Sequence, residues 1–246
     1  MRAVDILEAF EPNRHGMSLS EISERVGLSV PTTHRLVKAL LSRDLLVMER
    51  STKLYSLGAG VMQLARVMME RDDLHELSRP GLERLRTATD ETVSLQRLVG
   101  TERVVIAELV SAQRIRTASI VGTRYPLVAG GAGKAILAFL PQHTVEGIIA
   151  EQDGGDHLVK ELATIRDRGY ALSAGEVVVG ATSLAVPVFD SSLAVTGAIN
   201  ITGPLNRFSV EMAESFASLA LEEARTLTAL VGGVPWMPKT DPPKSK

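Results

Sequence analysis

The stretch that decides the N-terminal fold is residues 18–42, SLSEISERVGLSVPTTHRLVKALLS. Ser18 and Glu21 stand in the S-x-x-E spacing of a capping box, where the serine hydroxyl and the glutamate carboxylate each satisfy a backbone N–H of the other. Leu19, Ile22 and Val26 then fall on one helical face. Gly27 follows where a helix ends in a left-handed residue. Ser29 is placed to cap a second helix, with Pro31 in its first turn, where a missing N–H costs little. Two helices joined by so short a glycine turn read as a helix-turn-helix.

Laid on a helical wheel, the second helix has two faces. Val30, Thr33, Leu36, Val37 and Leu40 cluster on one, and Pro31, Arg35, Lys38 and Ser42 on the other, with Thr32 and His34 flanking. A recognition helix needs donors in its N-terminal half to reach base edges and cations along it to meet phosphates. Thr32, Thr33, His34, Arg35 and Lys38 are therefore the candidate DNA contacts, with Arg35 near the centre of the exposed face. Just downstream, Leu46-Val47-Met48 and Leu54-Tyr55-Ser56-Leu57 read as two strands. Arg50 and Lys53 lie in the loop between them, as on a wing that reaches a phosphate backbone or minor groove. Residues 29–53 hold five cations and two anions, net +3, whereas residues 1–28 hold three cations and five anions, net −2. Helix-turn-helix pairs also serve as plain packing units. Cap, turn glycine, basic face and basic tip in register favour DNA.

The rest of the chain has a different texture. It is 246 residues long, with net charge −2, 45% hydrophobic and 23% charged residues, and no cysteine. At roughly 150 residues per domain, a small domain plus a medium one is in range. The absence of cysteine excludes disulfides, thiolate zinc sites, iron–sulfur clusters and cysteine nucleophiles. No apolar run approaches the ~18 residues of a membrane span. Asp5 and Glu8 interrupt the apolar start, so it does not read as a signal peptide and a cytoplasmic protein is expected. With a near-neutral body, nucleic acid must be met by a local basic patch.

Residues 58–77 read as one continuous helix, with Val61, Leu64, Ala65 and Met68 in a stripe that Met62 and Met69 widen. Ser78 with Pro80 then reads as a new helix start. Strands are expected at 92–99 and 103–110 around the turn Gly100-Thr101-Glu102, and near 177–188 and 193–203 around Asp190-Ser191-Ser192. Helices are expected at 131–140, 143–151, 157–168 and about 209–231. Pro235, Pro238, Pro242 and Pro243 mark a tail expected to be disordered.

Between Glu176 and Arg207 the only charged residue is Asp190, so these strands must be largely buried. Yet they carry Thr182, Ser183, Thr196, Asn200 and Thr202, whose polar atoms need partners. Strand-to-strand hydrogen bonding would satisfy them, and so would a neutral polar pocket for a small ligand. Alternation puts Asn200 and Thr202 on one face of their strand. Gly131, Ala132 and Gly133 open a helix whose first N–H groups form a ready anion site. Arg114 and Arg116 share a face if their segment is a strand, either to meet a carboxylate or as a solvated edge.

Competing chemistries lack their residues. A phosphate-binding loop ending at Gly133-Lys134 would need glycine at 128 and Ser or Thr at 135, where the chain has Val128 and Ala135. Lys134 then reads as an exposed helix residue or a salt-bridge partner. The histidines, His15, His34, His75, His143 and His157, show no zinc spacing, and Asp153, Asp156 and His157 read as a surface loop. There is no G-x-S-x-G elbow. No cofactor and no metal are expected. The alternative to a regulator is a small-molecule enzyme on the C-terminal body, its N-terminal domain serving only dimerisation. That reading lacks a nucleophile or acid–base pair.

These residues resemble the IclR family of bacterial transcriptional regulators. The likeness rests on Leu19-Ser20-Glu21-Ile22, Val26-Gly27-Leu28, Thr32-Thr33-His34-Arg35-Leu36 and Tyr55-Ser56-Leu57-Gly58. It continues through Glu91-Thr92-Val93-Ser94-Leu95, Tyr125-Pro126-Leu127, Ala132-Gly133-Lys134-Ala135, Arg166-Asp167-Arg168-Gly169-Tyr170, Ala185-Val186-Pro187-Val188 and Gly197-Ala198-Ile199-Asn200. The resemblance implies an α+β chain: a winged helix-turn-helix over 1–57, a linker helix over 58–77, a GAF-like α/β effector-binding domain over 78–232 and a tail over 233–246. It also implies double-stranded operator DNA, a small organic-acid effector, and homodimers often paired into tetramers. By family likeness Gly131, Ala132, Ser183, Asn200 and Thr202 line the effector cavity, and Ser173 and Glu176 match an acidic stretch before the cavity strand. The chain departs from the family where it has Val128 in place of a frequent histidine and Ser183 near a frequent cysteine.

Overall fold

The computed structural model describes residues 2–11, 16–70, 73–150 and 155–237. Its contacts divide the chain into two compact units, Met1–Asp72 and Asp73–Lys246. His15, Asp153 and tail residues 238–246 lie outside the described residues.

The first unit contains α1 (Arg2–Glu8), α2 (Leu19–Arg25), α3 (Val30–Leu41), β1 (Leu46–Met48), β2 (Tyr55–Leu57) and α4 (Ala59–Glu70). Ser18 closes the capping box at α2: its hydroxyl accepts from Glu21 N–H at 3.3 Å, and Glu21 Oε2 accepts from Ser18 N–H at 2.7 Å. Gly27 takes φ +62°, and Leu28 N–H turns back to the Ser23 carbonyl. Ser29 occupies the N-cap position of α3 but makes no side-chain cap bond; its hydroxyl pairs with that of Thr32 at 3.0 Å. Ile6, Met17, Ile22, Val37, Leu40, Leu46 and Tyr55 form the core that fixes α2 against α3. Val30, expected inward, is exposed at the first turn.

In the second unit α5 (Asp73–Thr89) precedes the hairpin β3 (Thr92–Val99) and β4 (Glu102–Leu109). Then come β5 (Arg124–Pro126), α6 (Gly130–Leu137), α7 (Gln142–Ala150), α8 (Gly155–Arg168) and β6 (Ala171–Ala174). The strands β7 (Ala181–Phe189) and β8 (Val195–Pro204) and the helices α9 (Val210–Ser215) and α10 (Ala217–Leu230) complete it. The strands make one antiparallel sheet in the order β5-β4-β3-β8-β7-β6. Period-2 alternation gives the sheet two unlike faces. Val93, Leu95, Leu184, Val186, Ile199 and Ile201 pack with Leu82, Leu85, Leu221 and Leu227 of α5 and α10. On the other face α6 lies over Ala185 and Ala198.

Several expectations need correction. Pro80 lies inside α5, seven residues past its start, so the helix beginning expected at Ser78 and the boundary at 77/78 fall within a helix. The amphipathic run 209–231 is broken at Phe216 into α9 and α10. Arg114 and Arg116 share no strand face, because residues 112–119 are irregular; both are exposed, and Arg116 donates to the Gln113 carbonyl. The tail is ordered through its first residues. Gly233 and Val234 N–H groups bond the carbonyls of Thr228 and Asp190, and the Trp236 ring meets Phe139 edge-on at 5.1 Å. The six-membered ring of that indole covers Gly169, where φ is +84° and a Cβ would come within 2.4 Å of it.

Candidate nucleic-acid interface and C-terminal cleft

The solvent face of α3 carries His34, Arg35 and Lys38, all exposed, with Thr32 half-buried beside them. Thr33 is different: it is fully buried, and its hydroxyl donates to the Ser29 carbonyl at 3.1 Å. It cannot reach a base, which corrects its inclusion among the DNA contacts. Thr33 shares the helical face of Val37 and Leu40, which the core claims.

The hairpin β1–β2 pairs Leu46 with Leu57 and Met48 with Tyr55. It is anchored at its loop end, where Met17, just before α2, and Tyr55 exchange backbone bonds of 2.9 and 2.8 Å. Arg50 and Lys53 stand exposed in the loop, and Lys53 adopts φ +59° to close it. Glu49 is occupied locally, accepting from the Ser51 and Thr52 hydroxyls. The two loop cations thus remain directed to solvent on the same small unit as Arg35 and Lys38.

In the second unit one cleft of about 540 Å³, its open mouth included, lies between α6 and the polar centre of the sheet. Gly131, Ala132, Ser183, Asn200 and Thr202 all line it. Sheet register brings them together: Ser183 pairs with Thr202, and Ala185 with Asn200. Asn200 Nδ2 donates to Thr202 Oγ1 at 2.6 Å, while Asn200 Oδ1 is buried without a partner. Gly131 N–H donates to Ser183 Oγ at 3.1 Å. A side chain at Gly131 would have its Cβ 2.7 Å from that Oγ, so glycine is what lets α6 approach the sheet. Val128 does not line the cleft; it lies in a separate surface groove with His143.

Sequence reasoning passed over Arg103, which lines the cleft. Arg103 is 3% exposed, and its Nε donates to Gln96 Oε1 at 2.7 Å. Gln96 in turn donates to Ser94 Oγ, which extends the polar line toward Asn200 across the register pair Ser94–Asn200. An arginine in the inward phase of a strand, two residues before Val105, was the signal that could have found it. Glu176 and Lys134 form the second group. Lys134 is buried rather than exposed, and it is the salt-bridge partner of the two readings: its ammonium bonds Glu161 at 2.6 Å and Glu176 at 2.5 Å. The other Glu176 oxygen accepts from Gly130 N–H at 2.9 Å, at the start of α6. Burial alone would raise the Glu176 pKa; the Lys134 ammonium, the Gly130 N–H and the Ser173 hydroxyl outweigh it and hold the carboxyl below the usual range. Among the described residues no cluster of acidic and histidine side chains could hold a metal ion, and no helix is long and apolar enough to cross a membrane.

A helix-turn-helix with a basic outer face, followed by an antiparallel-sheet unit with its own buried polar cleft, defines a class: transcriptional regulators that bind DNA through the N-terminal domain. The IclR helix-turn-helix domain matches residues 1–49, and the bacterial transcriptional regulator IclR C-terminal domain matches residues 67–229. The chain belongs to the IclR family. It is 29% identical over 241 residues to the HTH-type transcriptional repressor AllR of Escherichia coli, covering 94% of this chain and 89% of the relative. The crystal structure of Thermotoga maritima IclR superposes with a TM-score of 0.75 at 25% identity, covering 94% and 97% of the two chains. An IclR homolog of Microbacterium hydrocarbonoxydans, complexed with 4-hydroxybenzoate, has the same fold, with a TM-score of 0.82 at 23% identity and the same coverage.

Proposed function

We propose that this chain is an effector-responsive regulator: α3 and the β1–β2 hairpin bind operator DNA, and the C-terminal cleft binds a small organic acid that changes that binding. The observation that carries the effector half is the convergence of Gly131, Ala132, Ser183, Asn200 and Thr202 on one cleft containing an unpartnered amide oxygen. A buried acceptor without a partner costs roughly 1–3 kcal/mol, so a ligand that supplies a donor gains by it. The Microbacterium relative's complex with 4-hydroxybenzoate supports the acid class. For DNA, His34, Arg35 and Lys38 address the major groove, with Thr32 at their flank, and Arg50 and Lys53 meet the backbone or minor groove.

The regulator works as a homodimer, or as a dimer of dimers, so that two recognition helices meet two half-sites. Met62 and Leu64 of α4 are 75% and 62% exposed, apolar surface that a second copy would cover. Over the enzyme reading, the regulator reading is supported by the curated relative AllR of Escherichia coli, which is a transcriptional repressor. The test is fluorescence anisotropy on the DNA upstream of the coding region, with and without a panel of aliphatic and aromatic acids. An acid that shifts wild-type binding but not that of Asn200→Ala, with unliganded DNA binding equal in both, supports the reading. Equal shifts in both proteins contradict it.

A further inference from the structure

We propose that Arg103 is the residue that selects a carboxylate in the C-terminal cleft, and that the effector is a small acid bearing a hydroxyl or amide donor for Asn200. The inference rests on the reading of that cleft as the effector site.

Both sides of the charge balance are visible around α6. Arg103, Lys134, Glu161 and Glu176 meet beside its first turns. Lys134 is paired with both glutamates, and Glu176 has both oxygens engaged, one by Lys134 and one by Gly130 N–H. Arg103 is the cation left over. It is 3% exposed, and its hydrogen-bond acceptors are neutral, the Gln96 amide oxygen and the Pro126 carbonyl. The Tyr125 ring lies under the guanidinium, 5.2 Å from centroid to Cζ. Among the described residues no carboxylate is within ion-pair distance of it. Burial drives its pKa down to about 10, with Tyr125 and Glu176 opposing the shift, so it stays charged at neutral pH. A buried charge whose hydrogen bonds go only to neutral groups is costly, and an incoming anion relieves that cost.

The geometry puts this cation at the start of α6. A Cβ on Gly130 would come within 3.0 Å of an Arg103 terminal nitrogen, and φ there is +75°. A Cβ on the next residue, Gly131, would lie 3.5 Å from Asn200 Oδ1. The guanidinium and the unpartnered amide oxygen therefore flank consecutive residues of one helix start, a span that a few-atom ligand bridges. Two ligand groups are specified: an anion for Arg103, in the field of the α6 N-terminus, and an N–H or O–H for the buried Oδ1 of Asn200, a residue 7% exposed. Ser183 Oγ already accepts from Gly131 N–H, which leaves its own proton for the ligand.

Matched acid and amide pairs test this on the full-length protein: acetate and acetamide, lactate and lactamide, 4-hydroxybenzoate and 4-hydroxybenzamide. Binding is read by calorimetry and by the shift in thermal unfolding at constant ionic strength. The expected result is that an acid binds while its amide does not, that lactate exceeds acetate, and that Arg103→Met weakens the acid by roughly 10- to 100-fold. Arg103→Lys should recover part of the loss, since it keeps the charge without the planar fork. Where Arg103→Met fails to fold, the acid-over-amide preference of the wild type alone decides. An amide that binds as well as its acid overturns the proposal and leaves the effector reading standing. So does an acid that binds Arg103→Met undiminished. Silence of every acid and amide, acetate at high millimolar concentration included, overturns both.

Discussion

Arg35, Thr33 and Asn200 each carry a distinct physical claim. Arg35 is exposed at the middle of α3, so Arg35→Ala should weaken operator binding by about 1–3 kcal/mol while leaving non-specific binding nearly unchanged. Measured affinities for operator and scrambled duplex check this; an equal loss on both would make Arg35 a phosphate contact. Arg50→Ala and Lys53→Ala should weaken both duplexes alike and flatten the salt dependence, each by up to about one counterion. Thr33→Val should alter stability rather than base preference, because the hydroxyl is spent on the Ser29 carbonyl inside the core. That residue shows a limit of reading sequence: a threonine beside His34 and Arg35 looks like a base reader until its phase on the helix is enforced by packing. Asn200 shows the converse. Its alternation with Ile199 and Ile201 was enough to place it on the polar face with Thr202.

At the scale of elements, the cap of α2 was the most legible feature, whereas Ser29 makes no cap bond at α3. Ser18 makes the reciprocal box that its spacing with Glu21 predicts, and Ser18→Ala should lower the stability of the N-terminal unit by about 0.5–2 kcal/mol in denaturant unfolding. The long strands β3, β4, β7 and β8 were legible through their turns. By contrast β5 and β6, with three and four residues, are too short to show a period and exist because β4 and β7 offer them edges. Proline misled at α5: Pro80 marks a first turn in most helices, yet here it is tolerated inside one. The break at Phe216 left no mark, because the apolar stripe runs on through both α9 and α10. The burial of Arg103 and of Lys134 stayed hidden for a shared reason. Each is a cation in a position whose burial only the folded sheet reveals, and their partners lie 7 and 27 to 42 residues away in sequence. Gly131→Ala is the element-level test of the cleft: its Cβ collides with Ser183 Oγ, so ligand binding should fall far more than thermal stability.

For the molecule as a whole, pH and linkage supply the predictions. Glu176 is held below the ordinary glutamate value of 4.5, so its folded form releases its proton more readily than the unfolded chain. The resulting stability is complete above that value and is lost as pH falls through the lower, folded one. Thermal unfolding of wild type and Glu176→Gln should therefore differ at neutral pH and converge on acidification below about 4.5. If an effector in the C-terminal unit alters DNA affinity, operator DNA must alter effector affinity by the same factor, since the two bindings share one thermodynamic cycle. The size of the response is set by the effector's differential affinity for the two states, not by its affinity alone. The measurement that tests the account most directly is anisotropy of labelled upstream DNA titrated with wild type, Arg35→Ala and Asn200→Ala, each with and without the acid panel. The account predicts specific binding by wild type that one acid shifts, loss of that binding in Arg35→Ala, and intact but unresponsive binding in Asn200→Ala. Specific binding that survives Arg35→Ala, or an acid response that survives Asn200→Ala, would contradict it.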